Sequence, residues 1–328
     1  MGFFRSACRP VAPCALLLAL TTACTSGRAQ PGQEVPPAAT PTAGADVQSL
    51  HLPIERYMLT PAQTARYDWA AASLVRDCMR GFGFTYPVSH APATGEQVLQ
   101  YSVMFRRYGV TDPETARTWG YHVPRDAPAS AATAGRAQAK PPALSAGART
   151  VLSGVDVTTG ERITEYLGRR VAVNGCYGAP DRALGARSSA SDGLQGPGTG
   201  ADGIVSRIKA ESFVASSRDP RVTDVFRRWQ RCMERNGYRV AADPLSASAR
   251  LSALDLPEPD QTELAQARTD VACKQRTNLA GVWFAVESAY QEAAIARDGD
   301  DLARVARDRD RELAAVQRYL SGKVPASP

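Results

Sequence analysis

DPRVTDVFRRWQRCMERNGY, residues 219–238, decides the fold of this chain. Asp219 can cap a helix through its side chain, and Pro220 suits the first helical turn. Apolar residues then recur at spacings of three and four, which is typical of a helix with one buried face. These residues are Val222, Val225, Phe226, Trp229 and Met233. Asn236-Gly237 predicts the end of the helix, because glycine readily adopts the left-handed conformation.

The same pattern occurs a second time, in TPAQTARYDWAAASLVRDCMRGFGF at residues 60–84. Thr60 and Gln63 have the spacing of a capping box, and a proline again stands at the start of the helix. The two segments also end alike, with matching residues at identical offsets: Cys78, Met79, Gly83 and Phe84 against Cys232, Met233, Gly237 and Tyr238. We therefore predict two diverged helical repeats.

The remaining pattern predicts a mostly α fold. The first repeat covers residues 51–184, with a helix at 160–173 and a disordered insertion near 125–150, which is rich in Ala, Pro, Gly and Ser. A flexible linker at 185–203 leads into the second repeat, 204–321. This repeat should end in a long antiparallel helical hairpin, because an apolar pattern that begins at Thr262 is interrupted by Asp298-Gly299-Asp300 and then resumes.

The first 23 residues are predicted to be a signal peptide. Arg5 and Arg9 precede an apolar run at 11–20 that is too short for a stable membrane span. The run ends in LTTAC, which is similar to the lipobox of bacterial lipoproteins, where the cysteine receives acyl chains, palmitate among them. Thr21 departs from the larger aliphatic residue that is usual there, so an ordinary secretory signal stays the alternative. Residues 24–50 then predict a lipidated flexible tether on the extracytoplasmic face of the cell membrane.

The cysteine count supports lipidation at Cys24. The chain has seven cysteines, and two of them leave with the signal peptide. If Cys24 carries lipid, four remain, and these can form two disulfides in an oxidising compartment. Symmetry between the repeats favours the pairs Cys78–Cys176 and Cys232–Cys273, with crossed pairs as the alternative.

The layout resembles secreted actinobacterial lipoproteins of uncharacterised function. The residues that carry the resemblance are LTTAC at 20–24, the doubled Cys-Met-x-x-x-Gly-aromatic motif, NGCYG at 174–178, Asp270-x-x-Cys273-Lys274 and Trp283-x-x-x-Glu287. It implies an exported, disulfide-bonded helical domain, and it implies no activity.

The sequence offers little that predicts catalysis, a metal or a cofactor. The three histidines, His51, His90 and His122, are not at ligand spacing. A Gly-x-Gly-x-x-Gly pattern at 198–203 follows a flexible run where a dinucleotide fingerprint requires a strand. The net charge of +6 is too mild to call for nucleic acid. We predict neither catalytic residues nor a metal site.

One cluster of residues predicts binding of anions. Arg228, Arg231 and Arg235 lie on one predicted helix and could contact anionic lipid headgroups or cell-wall polymers. The alternative interpretation is that these arginines form a solvated helix face without a binding role. We expect a non-enzymatic binding or accessory role at the envelope, with an anionic polymer or another envelope protein as partner. The alternative is an enzyme that uses carboxylates in a cleft between the repeats; convergent carboxylates would favour it, whereas a basic groove would favour binding.

Overall fold

The structure is a computed structural model that describes residues 46–88, 92, 102–123, 144–185, 203–249, 251, 254 and 256–322. The described residues all belong to one compact unit, Pro36–Pro328. The predicted signal peptide, Cys24, most of the tether, residues 125–143 of the insertion and residues 186–202 of the linker lie outside the described residues.

The described chain is mostly helical, as the sequence predicts. Its α-helices are α1 Pro61–Gly81, α2 Pro113–Trp119, α3 Ala146–Ser153, α4 Ala179–Leu184, α5 Ile204–Arg218, α6 Pro220–Arg235, α7 Gln261–Thr277, α8 Leu279–Arg297 and α9 Gly299–Leu320. A two-stranded antiparallel sheet joins β1 Glu165–Tyr166 to β2 Arg169–Arg170.

Helices α1 and α6 end in the same backbone geometry. The amide of Phe84 donates to the carbonyl of Met79, and the amide of Tyr238 donates to the carbonyl of Met233, each at 3.0 Å. Gly83 and Gly237 take the left-handed conformation, with φ of +80° and +88°. This is the Schellman motif, in which a glycine reverses the chain and satisfies the last carbonyls of the helix. The doubled sequence motif therefore encodes a doubled helix end.

The two disulfides join the cysteines that the symmetry argument pairs. Cys78 is bonded to Cys176 and Cys232 to Cys273, with Cα–Cα distances of 5.6 and 5.7 Å. Their surroundings differ, because Cys176 lies in the 3-10 helix Gly175–Gly178 whereas Cys273 lies in α7. The similarity of the two halves thus covers α1 and α6 with their C-terminal turns and does not extend to the second cysteine of each bond.

The helix predicted at 160–173 is wrong: these residues contain the β-hairpin. Leu167 and Gly168 form its turn, and both have positive φ, +48° and +77°. Two consecutive left-handed residues are the requirement of a tight hairpin turn, and they cannot continue a helix. The spacing of apolar residues suggested one buried face, but Leu167 is 86% exposed whereas Val171 is buried.

Two segments that were predicted to be disordered are partly ordered. Residues 146–150 of the insertion begin α3, which Ser145 caps by accepting a hydrogen bond from the amide of Ala148. Its small residues permit close packing, since a Cβ at position 147 would overlap the hydroxyl of Tyr166. Within the tether, residues 47–49 form a 3-10 helix that buries Val47.

The hydrophobic core has two main clusters, and they do not follow the predicted boundary between the repeats. The larger cluster combines α5, α6 and α8 with residues of the first half, among them Ile54, Met104 and Tyr108. The smaller cluster combines α1, α3 and α4 with Ala315 and Val316 of α9. Packing therefore interleaves the two halves of the chain.

The C-terminal helices pack differently from a simple hairpin. The long pattern after Thr262 is divided at Asn278, which has a φ of +52° and ends α7. Helix α8 packs mainly on α5 and α6, whereas α9 contacts α1 and α4 more than it contacts α8. The start of α9 belongs to the larger cluster through Leu302, and its end belongs to the smaller one. Helix α9 thus joins the two clusters.

The covalent structure indicates the compartment. Stable disulfides are typical of oxidising environments outside the cytoplasm, and two are present here. In the ranges that the structure describes, no helix combines the length and apolar character that a bilayer span requires.

Candidate functional site

A cleft of about 870 Å³ lies beside the Cys78–Cys176 bond. One wall is the C-terminal end of α1, and the other is the segment that runs from the hairpin into the 3-10 helix. The lining residues are Asp77, Cys78, Gly81, Phe82, Thr164, Arg169, Arg170, Val171, Ala172, Val173 and Arg182. We call this the arginine cleft.

Local contacts hold the hairpin at the end of α1. The guanidinium of Arg169 donates to the carbonyl of Gly81, one of the last carbonyls of the helix. The rings of Tyr166 and Phe84 pack with their centroids 5.9 Å apart. Because Phe84 follows the Schellman turn directly, the helix end predicted from the sequence also positions one wall of the cleft.

The arginines of the cleft keep their positive charge available. Arg182 donates to the carbonyls of Val173 and Gly175, both at 3.1 Å. A carbonyl orients a guanidinium without neutralising it. Arg170 is exposed, and it forms no ion pair with any residue in the described part of the chain.

The single carboxylate that lines the arginine cleft is already paired. Asp77 accepts from Arg76 at 3.1 Å and from Arg80 at 2.8 Å through one oxygen. Its other oxygen accepts from the hydroxyl of Tyr319 at 3.2 Å. Burial, with help from the Asp77 charge, raises the pKa of Tyr319 to about 12, so this hydroxyl stays a donor. Asp77 therefore cancels little of the charge that the cleft arginines present.

The predicted anion-binding residues Arg228, Arg231 and Arg235 lie on the exposed face of α6. Arg228 pairs with Asp224 at 3.3 Å. Arg231 and Arg235 are exposed, and neither forms an ion pair within the described ranges. None of the three lines the arginine cleft, which is formed by other elements. The structure therefore places them together on one convex helix face.

The buried carboxylates are held inside the core. Glu287 of α8 is fully buried and accepts from Arg107 Nε at 2.9 and 3.0 Å and from the hydroxyl of Tyr108 at 2.9 Å. Burial, reinforced by the Glu287 charge, raises the pKa of Tyr108 well above its usual value. Lys209 lies nearby, and burial together with the charge of Arg107 lowers its pKa to about 8.

A second buried group connects α6 with α7. Asp270 accepts from the indole of Trp229 at 2.8 Å and from Lys274 at 3.0 Å. Lys274 also donates to the carbonyl of Val110 at 2.9 Å, so its ammonium bridges two elements. Burial raises the pKa of Asp270, while the charge of Lys274 opposes the rise. The Asp270–Lys274 ion pair therefore stabilises the core next to the Cys232–Cys273 bond.

Glu263 forms the third buried carboxylate group. It accepts from the amide of Tyr121 at 2.7 Å and lies 2.9 Å from Nδ1 of His122. Gly120 permits this approach, because a Cβ there would lie 2.6 Å from the carboxylate. Burial lowers the pKa of His122, but hydrogen bonds to the Leu256 carbonyl and to Glu263 outweigh it and raise the pKa. Glu263, Asp270 and Glu287 line neither the arginine cleft nor the second cleft near His51.

Sequence reasoning missed the arginines of the cleft. Arg169 and Arg170 were assigned to a helix, and Arg182 is distant from them in the chain. Leu167-Gly168 is the sequence feature that could have indicated the hairpin, because a glycine-containing pair between two short polar-apolar segments is typical of a hairpin turn. A predicted hairpin would have placed Arg169 and Arg170 on a strand. Within the described ranges, His, Cys, Asp and Glu side chains form no group of three that could hold a metal ion.

Comparisons with protein-family models, with curated proteins and with solved structures found no match. The geometry of the site therefore carries the functional proposal. The fold that surrounds it supplies support for the cleft but does not define an activity.

Proposed function

We propose that this chain is a lipid-anchored protein on the extracytoplasmic face of the cell membrane that binds an anionic envelope component without catalysis. The arginine cleft is the observation that carries the proposal. Guanidinium groups recognise carboxylate and phosphate groups through pairs of parallel hydrogen bonds. Arg170 and Arg182 present such donors beside a concave surface, which is the usual shape of a ligand site.

The placement of carboxylates supports binding over catalysis. A carboxylate-based enzyme needs acid and base groups that converge on one reacting atom. Here Glu263, Asp270 and Glu287 are each engaged with core donors, and the arginine cleft has only Asp77. The partner that fits is an anionic envelope polymer or an acidic surface of another envelope protein.

The anchor is proposed from the sequence. In LTTAC, Cys24 stands at the position where a lipoprotein receives its acyl chains, and all four later cysteines are occupied in disulfides. Two or three acyl chains hold a protein firmly, whereas one chain binds marginally. Cys24→Ser should block processing or move the protein from the membrane fraction to the soluble fraction. Mass spectrometry that finds an unlipidated mature terminus in the wild type would refute the anchor.

The binding proposal is tested with the intact lipoprotein as bait in detergent-solubilised membranes. The bait is wild type, Arg170→Gln/Arg182→Gln, or the helix-face control Arg228→Gln/Arg231→Gln/Arg235→Gln. Phosphate and uronic acid in the eluates report the captured anionic polymer, and protein staining reports a protein partner. We expect capture to fall in the cleft variant and to persist in the helix-face variant. If capture is lost only in the helix-face variant, the anion-binding surface is the exposed face of α6 and the proposal for the arginine cleft is wrong.

A further inference from the structure

We propose that the ligand of the arginine cleft is an anionic amphiphile, a molecule in which a phosphate or carboxylate group is joined to a hydrocarbon chain. The inference rests on the proposed function and names the class of ligand. The cleft combines guanidinium donors with an apolar wall, and these two features lie within one short segment. A simple anion would contact the guanidinium groups and would leave the apolar wall without a partner.

The apolar wall begins inside the cleft and continues onto the surface. Phe82, Val171 and Val173 line the cleft, and Val173 is 72% exposed. The three most exposed large apolar side chains in the described ranges are Leu167 at 86%, Val173 and Tyr177 at 57%, and no other exceeds 49%. All three fall within eleven residues of one another. Val173 lines the cleft itself, while Leu167 and Tyr177 belong to the chain segment that supplies Arg169, Arg170 and Val171 to its wall. Exposed apolar side chains grouped in this way mark binding sites.

The hairpin turn displays a leucine under backbone strain. Leu167 has a φ of +48°, in the left-handed region where Gly, Asn and Asp are usual. An ordinary hairpin would place a polar residue or glycine at this exposed position, and it would gain solubility by doing so. Strained positions cluster at ligand-binding sites, and Leu167 precedes the lining residue Arg169 by two positions, so the strain supports the proposal for this cleft.

The charges match an anionic group next to this wall. Arg170 is free of ion pairs among the described residues, and the carbonyl contacts of Arg182 hold its guanidinium at the edge of the cleft. The carboxylate of Asp77 is turned to Arg76, Arg80 and Tyr319. A volume of about 870 Å³ lies within the range of small-molecule sites, which leaves room for a headgroup and part of a chain.

The test measures binding by isothermal titration calorimetry to the full chain with Cys24→Ser, exported so that both disulfides form. This substitution removes the acyl chains of the anchor, which could otherwise occupy the cleft. The probes are dodecyl phosphate below its critical micelle concentration, inorganic phosphate and dodecyl maltoside. We expect dodecyl phosphate to bind at least about tenfold more tightly than either of the others, a difference of about 1.4 kcal/mol, because it alone combines an anionic group with a hydrocarbon chain.

Matched variants separate the two halves of the ligand. Arg170→Gln should weaken binding of dodecyl phosphate about tenfold, and Val173→Ser should weaken it without changing the affinity for inorganic phosphate. The controls are Arg235→Gln and Val214→Ser, which change an exposed arginine and a 45% exposed valine away from the cleft. Both controls should bind as the wild type does. Unchanged thermal unfolding confirms that each variant folds.

The outcomes distinguish the inference from the function beneath it. Equal affinity for inorganic phosphate and dodecyl phosphate would overturn the amphiphile and leave the anion cleft intact. Equal affinity for dodecyl maltoside and dodecyl phosphate would overturn both, as would binding that the Arg170 variant leaves unchanged. Vesicles of phosphatidylglycerol form a second arm: cleft-dependent binding to vesicles as well as to dodecyl phosphate identifies membrane lipid as a source, whereas binding to dodecyl phosphate alone identifies a free amphiphile.

Discussion

The first cysteine of each disulfide lies near the end of a similar helix, α1 in one case and α6 in the other. The second cysteine lies near exposed side chains in one case and near buried ones in the other. In the first bridge region, around Cys78–Cys176, the partner cysteine lies in a 3-10 helix next to a hairpin with exposed apolar and arginine side chains. In the second bridge region, around Cys232–Cys273, it lies in α7 beside a fully buried ion pair. One local motif therefore supports an exposed cleft in one place and a buried ion pair in the other.

The difference shows where function can arise on a repeated scaffold. Irregular segments lie on the surface and can present side chains that the rigid elements merely position. The Schellman turn of α1 positions Phe84, and through it the hairpin, whereas the equivalent turn of α6 leads into a segment whose carbonyl at Val240 accepts from Gln230. The helix end that both segments share thus acts as support, and the segments that differ form the surroundings of each bond.

Removal of each disulfide should give the largest effects. The bonds close loops with sequence separations of 98 and 41. Loop-closure entropy predicts losses of about 4.7 kcal/mol for Cys78→Ala/Cys176→Ala and about 3.9 kcal/mol for Cys232→Ala/Cys273→Ala. Urea unfolding of the two double variants measures the losses.

The comparison of these two variants also tests the contrast between the regions. If entropy dominates, the losses should agree within about 1 kcal/mol. A loss in the second bridge region that exceeds the first by more than about 2 kcal/mol would show that the core there depends on its bond for packing. Non-reducing peptide mapping of the wild type is the control, because a Cys78–Cys232 peptide would contradict the pairing itself.

Lys274→Met should destabilise the second bridge region by about 3–5 kcal/mol. The substitution leaves the buried carboxylate of Asp270 without its counter-charge, which lies 3.0 Å away in the native chain. Adding Asp270→Asn removes the uncompensated charge and keeps an acceptor for Trp229, so the double variant should recover much of the loss. Chemical unfolding of the three proteins decides the matter, and a double variant that is as unstable as the sum of the singles would contradict it.

The sequence predicted what depends on local pattern. The capped start of α1 and both glycine turns follow from residues that lie close together in the chain or repeat at fixed offsets. The disulfide pairs follow from the assumption that each half closes its own bond. Arg228, Arg231 and Arg235 were also found on one face, because a single helix carries them. The arginine cleft could not be found in this way, since Arg170 and Arg182 meet Phe82 only after the hairpin has packed on α1.

The hairpin shows why an apolar pattern can mislead. Ile163, Tyr166 and Leu167 have the spacing of a helical face, and nothing in their apolar character distinguishes a buried position from a displayed one. The backbone conformation of Leu167-Gly168 determines that this segment is a hairpin, because two left-handed residues reverse the chain there. The burial of Glu263 and Glu287 could not be predicted either. Glutamate is usually a surface residue, and their partners His122 and Arg107 are distant in the sequence.

Gly83→Ala and Gly237→Ala should each destabilise the protein by about 1–2 kcal/mol, because a left-handed conformation costs that much for an L-residue. Space is not the cause, since a Cβ at either position would meet nothing within 4 Å. Gly81→Ala is the matched control: it is helical, equally unobstructed, and should be neutral or stabilising by up to about 1 kcal/mol. Thermal unfolding measures all three.

Equal losses at Gly83 and Gly237 would show that the duplicated helix ends are energetically as well as geometrically equivalent. Unequal losses would mean that the environment beyond the turn, the hairpin in one case and the second bridge region in the other, determines the cost. The double variant should lose the sum of the two, because independent sites are additive.

The smallest expected effect is a pH dependence of stability at His122, which contacts Glu263 of α7. His122 lies 2.9 Å from the buried carboxylate of Glu263 and donates through Nε2 to the Leu256 carbonyl. The guanidinium of Arg106 is close by, because it donates to the carbonyls of Tyr121 and His122. The two hydrogen bonds outweigh burial and the Arg106 charge, so the pKa of His122 is raised above 6.5. The first bridge region has no comparable histidine contact among its described residues.

A raised pKa means that the folded state binds the proton more tightly than the unfolded state. The stabilisation is therefore complete below pH 6.5 and is lost as the pH rises through the folded pKa. We expect the free energy of unfolding of the wild type to fall from pH 6 towards pH 8 relative to His122→Gln, by less than about 1 kcal/mol for a single partly exposed contact. The matched control is His51→Gln, whose histidine is exposed beside Glu55. Parallel pH profiles for wild type and His122→Gln would exclude His122 as the titrating group and leave the second bridge region without a pH-sensitive contact.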